Sequence, residues 1–191
     1  THENSSAASD VYKRQAVSLW SLRGSGSSHF ILVVYENYEM MEKGRAIFSS
    51  CKDSAYMIKS FQDNTDTDRS WNWISENLVA ARAWTNNTAF AKYNFNIEPG
   101  HESDYMNSWK NFMSSQLNTF DGSFGLNRIA YGNRYVSHMV YLGADSMDKL
   151  DKGIKLATSS KEFMDFASDV SSIRQNINVE LVQLVKFYTG E

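Results

Sequence analysis

Two histidines in equivalent sequence positions are the first candidates for proton-transfer chemistry. Ser28-His29 recurs as Ser137-His138, 109 positions later (137 minus 28), and each pair precedes an apolar run typical of a strand. A histidine inside a pocket can shuttle protons near neutral pH or bind a metal. The alternative is a structural role, in which the Ser-His pair caps a strand end through hydrogen bonds. Because no second histidine lies at ligand spacing, the sequence predicts no protein-bound metal site.

Four further residues could contribute polar or aromatic groups to a site. Asn94 lies on an alternating, strand-like segment, and Trp109 lies on a predicted helix. Arg128, within another predicted strand, could bind an acidic or phenolic ligand, and Tyr131 could add aromatic surface. Each has a structural alternative: the polar side of a pleat for Asn94, cross-strand ion pairing for Arg128, and the core for the aromatic residues. The candidates for catalysis are therefore His138, Asn94 and Arg128, and those for ligand binding are His29, Tyr131 and Trp109.

The composition excludes several classes of function. The 191 residues carry a net charge of −3, so they lack the basic excess that binds nucleic acid, and we predict no nucleic-acid partner. Hydrophobic residues make up 42% of the chain, but apolar runs such as Phe30–Tyr35 are too short to span a bilayer. The single cysteine, Cys51, excludes an intramolecular disulfide. The chain has no glycine-rich phosphate loop and no nucleophile elbow, and we predict no cofactor.

An internal repeat organises these candidate residues. Lys43-Gly44 returns as Lys152-Gly153 at the same offset of 109 positions (152 minus 43). After a short gap, residues 72–84 align with residues 176–188. The pattern predicts a duplicated unit of about one hundred residues, which is within the usual range for a domain. The first copy is predicted at residues 16–85 and the second at residues 86–191.

The second copy contains a complete set of predicted elements. Periodicity predicts strands at residues 88–97, 123–132, 135–144 and 178–188, and helices at residues 101–117 and 161–173. Ser103 is the expected N-cap of the first of these helices. The order β-α-β-β-α-β is that of a ferredoxin-like unit. In the first copy, residues 16–24 align with the second strand of that order, so we expect its first strand and first helix to be absent.

The first fifteen residues fit none of these elements. Residues 5–15, SSAASDVYKRQ, match in order the in-frame translation of a transposon-end adapter used in DNA sequencing. Residues 1–15 are therefore interpreted as a non-native, disordered tail on a truncated metagenomic translation. This interpretation agrees with the repeat, because the alignable part of the first copy begins directly after Gln15. It leaves the localisation open between the cytoplasm and export from a bacterium.

Over residues 16–191 this element order, repeated in tandem, resembles the dimeric α+β barrel superfamily. That superfamily includes proteins similar to antibiotic-biosynthesis monooxygenases, NIPSNAP and EthD. The resemblance implies an α+β fold in which two ferredoxin-like repeats pack as a pseudo-dimeric barrel, with helices on the outer faces. It also implies a pocket between sheet and helices or inside the barrel, and we expect His138, Asn94 and aromatic residues to line it.

The resemblance implies two alternative functions. One is the binding or oxidation of a small aromatic or quinone-like molecule without a cofactor, as in cofactor-independent monooxygenases. The other is a non-catalytic oligomerisation or interaction module. Haem-degrading members combine a strand Asn and a Trp with a haem-binding His on a helix. The second helix here has no His, so the pattern departs from that of those members. The partners implied by the two alternative functions are a small apolar or aromatic molecule and further copies of the chain.

Overall fold

A computed structural model describes residues 16–66, 68 and 70–188. The tail predicted at residues 1–15 lies outside these residues. Seven strands and five helices make up the described part of the chain. In order they are β1 (Ala16–Arg23), β2 (His29–Val34), α1 (Tyr38–Ser50), α2 (Ser54–Asn64), β3 (Ile74–Ala81), β4 (Ala89–Ile97), α3 (Glu102–Gln116), β5 (Ser123–Tyr131), β6 (His138–Ala144), α4 (Met147–Thr158), α5 (Lys161–Asp169) and β7 (Arg174–Tyr188).

The chain divides into two compact units that do not follow the sequence halves. Among the described residues, the first contains 16–21, 26–66, 68, 70 and 184–188, and the second contains 22–25 and 71–183. Strands β1 and β7 therefore contribute residues to both units. The repeat boundaries predicted at residues 16–85 and 86–191 stay a prediction.

The first unit is built on an antiparallel pair, β1 and β2, in which Trp20 lies opposite Phe30. Trp20 is 2% exposed, its indole Nε1 donates to Ser18 Oγ at 2.7 Å, and its ring stacks with Phe30. Helix α1 begins after Asn37, whose side chain accepts a hydrogen bond from the Met40 N–H at 2.9 Å. This cap satisfies one of the free N–H groups at the start of the helix.

The second unit contains a five-stranded antiparallel sheet in the order β7-β4-β6-β5-β3. The four strands of the predicted second copy thus stand in the ferredoxin-like order, with β4 between β6 and β7. Helices α3, α4 and α5 cover one face of this sheet. Its core is rich in aromatic residues, including Phe95, Tyr105, Trp109, Phe112 and Phe166. The predicted α+β class is confirmed.

Two local details differ from the sequence expectation. Helix α3 is capped by His101 rather than Ser103, which lies within the helix, and the His101 side chain makes no capping hydrogen bond. Strands β5 and β6 are joined by six residues, 132–137, whereas the predicted strands at residues 123–132 and 135–144 leave only two residues between them. Gly132 in this connection has φ +92°, and a Cβ there would lie 2.4 Å from the Asn72 carbonyl oxygen, so only glycine fits. No helix among the described residues has the length and apolarity needed to cross a membrane.

Candidate functional site

The register of β4 against β6 determines which candidate residues meet. Asn94 lies opposite Met139, and the next residue, Phe95, lies opposite His138. Because successive side chains of a strand point to opposite faces, Asn94 and His138 lie on different faces of the sheet. His138 faces the helices, and Asn94 faces away from them. The two residues that were expected to line one pocket are therefore separated by the sheet.

His138 is buried in the helix-covered face, with 3% of its surface exposed. Its Nδ1 lies 2.8 Å from Ser137 Oγ, and its ring stacks with Phe95 at a centroid distance of 6.2 Å. The buried Nε2 has no hydrogen-bond partner. Burial lowers the pKa of His138 below its usual value, with a smaller lowering from Arg128 and an opposing effect from Glu102. The imidazole is therefore neutral at physiological pH.

Ser137 holds the imidazole in place from one side. Its Oγ accepts a hydrogen bond from the Ile97 N–H at 3.1 Å, and its own N–H donates to Asn96 Oδ1 at 2.8 Å. Both contacts anchor Ser137 to the end of β4. When His138 Nδ1 donates to Ser137 Oγ, Nε2 carries the free lone pair and can accept a proton. In the other tautomer Nε2 is an unpaired donor.

An aromatic layer lies between β4 and helices α3 and α5, next to His138. The Tyr105 ring lies 4.9 Å from Phe95 and 5.8 Å from Phe166, and the Trp109 ring lies 5.7 Å from Phe166. Trp109, a predicted ligand-binding residue, is 3% exposed, and its buried Nε1 has no hydrogen-bond partner. Trp109 and His138 thus bring two unpaired ring nitrogens into one aromatic layer, although such groups are normally paired.

A surface pocket of about 330 Å³ opens at the ends of β4 and β7, lined by residues 96–99 and 172–175. One of its lining residues, Arg174, also reaches the aromatic layer, because its guanidinium lies 5.7 Å from the Phe166 ring. Burial raises the pKa of Tyr105 to about 12, and a hydrogen bond and charge from Arg174 oppose this rise. Arg174 therefore connects the pocket with Tyr105 and the layer beside His138. Arg174 and Tyr105 were not singled out from the sequence as site residues.

The other face of the sheet carries a row of buried polar side chains that includes Asn94. Lys92 Nζ lies 2.6 Å from Glu180 Oε2, and both side chains are about nine-tenths buried. Asn94 Nδ2 donates to Asn178 Oδ1 at 2.7 Å, and Asn178 Nδ2 donates to Glu180 Oε1 at 3.4 Å. The Asn94 amide is thus engaged in a network on the face opposite His138. The sequence signal for this pair is the presence of opposite charges, Lys92 and Glu180, within two segments that are both predicted to be strands.

The remaining candidates lie near the surface. Arg128 is opposite His138 in the sheet, but its Nη2 binds Glu76 Oε2 at 2.5 Å, in the cross-strand ion pair considered as its structural alternative. Tyr131 is 65% exposed. His29 is an exposed residue of the first unit, with Nδ1 3.0 Å from Ser28 Oγ. The described residues contain no cluster of three or more His, Cys, Asp or Glu that could hold a metal ion.

Acidification is expected to destabilise the second unit through His138. The folded imidazole has a lowered pKa, whereas the unfolded histidine binds a proton near its usual pKa of 6.5. The unfolded state then binds more protons, so the free energy of unfolding falls as the pH falls through 6.5. Urea titrations of the wild type and of His138→Gln, at about pH 7.5 and pH 5.5, measure this effect. We expect a steeper loss for the wild type, and equal losses in both proteins would contradict the assignment.

Three solved structures resemble the chain in fold. A presumed monooxygenase of Fusobacterium nucleatum subsp. nucleatum aligns with a TM-score of 0.59 and 13% identity, over 98% of this chain and 88% of that one. An anthrone oxidase-like protein aligns with a TM-score of 0.61 and 9% identity, over 99% and 87%. A presumed monooxygenase of Lactobacillus acidophilus aligns with a TM-score of 0.60 and 8% identity, over 98% and 91%. No protein-family model and no curated protein sequence matches the chain. The likeness shows a shared α+β fold.

Proposed function

We propose that this chain is a barrel protein of the monooxygenase type that binds and oxidises a small aromatic molecule without a cofactor. The observation that carries the proposal is His138: a neutral imidazole, buried in an aromatic layer, whose Nε2 has no partner. The fold shared with an anthrone oxidase-like protein and two presumed monooxygenases supports an anthrone-like or quinol-like substrate. The pocket beside Arg174 is the proposed opening through which such a molecule reaches the layer.

The proposed chemistry uses only the substrate, dioxygen and the side chains of this site. His138 Nε2 accepts a proton from an acidic C–H or O–H group of the substrate, and the resulting anion passes electrons to dioxygen. For an anthrone, a methylene carbon loses two C–H bonds and gains a C=O bond, and the second oxygen atom leaves as water. The imidazolium returns its proton to the reduced oxygen. Trp109 and Tyr105 supply aromatic surface and, through their N–H and O–H groups, hydrogen bonds to the substrate oxygen.

We also propose that the two sequence halves are repeats that form a pseudo-dimeric barrel. The support is the order of elements: β1-β2-α1-α2-β3 in the first half recurs as β5-β6-α4-α5-β7 in the second. The second half has β4 and α3 ahead of this series. The interpretation of residues 5–15 as adapter-derived stays a prediction, and determining the uninterrupted gene sequence would test it.

Replacing His138 with alanine tests the proposed reaction. We expect oxygen uptake with anthrone, and the appearance of the quinone absorbance, to fall by roughly a hundredfold or more, which is typical for loss of a general base. His29→Ala is the matched control, because His29 occupies the equivalent position on the first unit and is exposed. The control should retain the wild-type rate.

Two outcomes would contradict the proposed reaction. A wild-type protein that neither oxidises nor is thermally stabilised by anthrones and quinols is not an enzyme of this class. A His138→Ala variant that changes stability but leaves binding and turnover at the wild-type level would assign His138 a structural role. Either result would favour the alternative function, a non-catalytic interaction module.

A further inference from the structure

Helix α3 buries one side of its surface, and that side ends on a polar residue. Its buried residues are spaced as successive turns of one helical stripe: Tyr105, Trp109, Phe112, Met113 and Gln116. Gln116 is 3% exposed, and its Oε1 has no hydrogen-bond partner among the described residues. An unpaired amide oxygen at a core position lowers stability, which a leucine there would not do. Packing alone therefore does not account for Gln116.

The hydrogen bonds around Gln116 determine which end of its amide is unpaired. Gln116 Nε2 donates to Ser115 Oγ at 3.0 Å, and the Ser115 hydroxyl donates to the Phe112 carbonyl at 2.7 Å. Because that hydroxyl has a single proton, its oxygen can only accept from Gln116, so the nitrogen end of the amide faces Ser115. The unpaired group is therefore an acceptor, and its partner must be a hydroxyl or N–H donor.

An arginine holds the end of α3 that carries Gln116. Arg82 directly follows β3, and its guanidinium donates to the Leu117 carbonyl at 2.5 Å and to the Phe120 carbonyl at 2.6 Å. The Gln116 carbonyl accepts from the Phe120 N–H at 2.8 Å. These bonds pair carbonyl groups that the last turn of a helix leaves open. They fix the backbone at Gln116, which restricts the direction of its side chain.

Gln116 and His138 lie at opposite ends of α3. The Phe95 ring lies 4.9 Å from Tyr105 and 6.2 Å from His138, which places His138 beside the first turns of the helix. Trp109 follows Tyr105 by about one turn, and Gln116 follows Trp109 by seven residues. Seven helical residues rise about 10 Å and complete almost two turns, so Trp109 and Gln116 lie on the same side of α3. This separation is close to the long dimension of three fused aromatic rings.

We propose that Gln116 is a specificity-determining residue, which accepts a hydrogen bond from a hydroxyl group on the aromatic substrate. The inference rests on the proposed function, because that function places the substrate in the aromatic layer. His138 Nε2 then takes the acidic proton, Trp109 Nε1 donates to a substrate oxygen, and Gln116 Oε1 accepts from the hydroxyl. A molecule without the hydroxyl leaves Gln116 unpaired, and a site built around a hydrogen bond discriminates strongly against such an analogue.

A matched pair of anthraquinones tests the inference through binding alone. Hydroxymethyl-anthraquinone and ethyl-anthraquinone, substituted at the same outer-ring position, have side groups of similar size, but only the first can donate a hydrogen bond. Both are already quinones, so the measurement needs no turnover. We expect the full chain to bind the hydroxymethyl compound about tenfold more tightly, which corresponds to one hydrogen bond. Gln116→Leu should bind the two compounds with equal affinity.

Two controls accompany the binding measurement. Gln116→Glu keeps an acceptor oxygen at the same place, so it should retain the preference for the hydroxymethyl compound. The melting temperature of Gln116→Leu should equal or exceed that of the wild type, because the unpaired amide is gone. The indole N–H resonance that disappears in Trp109→Phe should shift when either quinone binds the wild type, which locates both compounds in the aromatic layer.

Equal binding of the two quinones to the wild type would overturn the inference, as would a preference that persists in Gln116→Leu. Oxidation of anthrone without any hydroxyl preference would remove the role of Gln116 and leave the proposed function standing. Hydroxyl-selective binding without oxidation of anthrone would support the role of Gln116 and contradict the proposed reaction. Failure of both quinones to bind would overturn both. The wild-type comparison requires no variant, so it holds even if Gln116→Leu fails to fold.

Discussion

Changing Glu180 to alanine is expected to destabilise the second unit by about 3–5 kcal/mol, because it leaves Lys92 buried without its counter-charge. Lys92 Nζ contacts Glu180 Oε2 at 2.6 Å, and the exposed fractions of the two side chains are 11% and 7%. The Lys92 ammonium also lies 5.1 Å from the centre of the Trp73 ring, a contact too weak to replace a carboxylate. A urea titration monitored by tryptophan fluorescence measures the loss.

The matched control replaces both partners with methionine. Lys92→Met combined with Glu180→Met removes both charges and retains apolar volume, so the free energy of unfolding should stay near the wild-type value or rise. If Glu180→Ala alone costs less than about 1 kcal/mol, the pair behaves as an exposed one, and the burial assigned to this network is wrong.

Changing Phe166 to alanine is expected to cost about 3–5 kcal/mol, because it opens a cavity at the centre of the aromatic core. The Phe166 ring contacts four other rings, those of Tyr105, Trp109, Phe112 and Phe163, at centroid distances of 5.3 to 6.4 Å. It is 4% exposed. Thermal and urea unfolding of the variant would measure the loss.

Met57→Ala is the control for this prediction, since Met57 is an apolar helix residue of the first unit and the counterpart of Phe166 in the predicted repeat (166 minus 57 is the offset of 109 positions). Met57 is 45% exposed, so its truncation should change stability by less than about 1 kcal/mol. Similar losses for the two variants would contradict the difference in burial between Met57 and Phe166.

Much of the element order could be predicted from periodicity. Alternation predicted β4, and helical spacing of Tyr105, Trp109, Phe112 and Met113 predicted the buried side of α3. The predicted N-cap of α3, Ser103, lies two positions after the observed N-cap, His101. Helix starts depend on local backbone angles as well as on side-chain preference. The pairing of Arg128 with Glu76 was only one of two readings of the sequence. Deciding between them needs the β3–β5 register, which joins strands more than fifty residues apart.

Two of the candidate residues named from the sequence lie close together in the structure, and their role in a site stays a prediction. His138 and Trp109, both candidate residues, lie in the same buried aromatic layer. The connection through Tyr105 and Arg174 was missed. Tyr105 was not among the candidate residues, and Arg174 precedes the strand predicted at residues 178–188, whereas it is the first residue of β7 in the structure. No local pattern shows that an arginine at the start of β7 will reach a tyrosine of α3, because that contact depends on how α3 packs against β7.

By itself the sequence determined the α+β class, the order of strands and helices, and the apolar residues available for a core. These are local properties, set by the period of the hydrophobic pattern and by turn residues. Only the tertiary structure decided that His138 and Asn94 point to opposite faces of the sheet. The physical reason is register: side chains alternate along a strand, so a shift of one residue in the pairing of β4 with β6 moves a residue from one face to the other. That register is set by packing between elements distant in sequence.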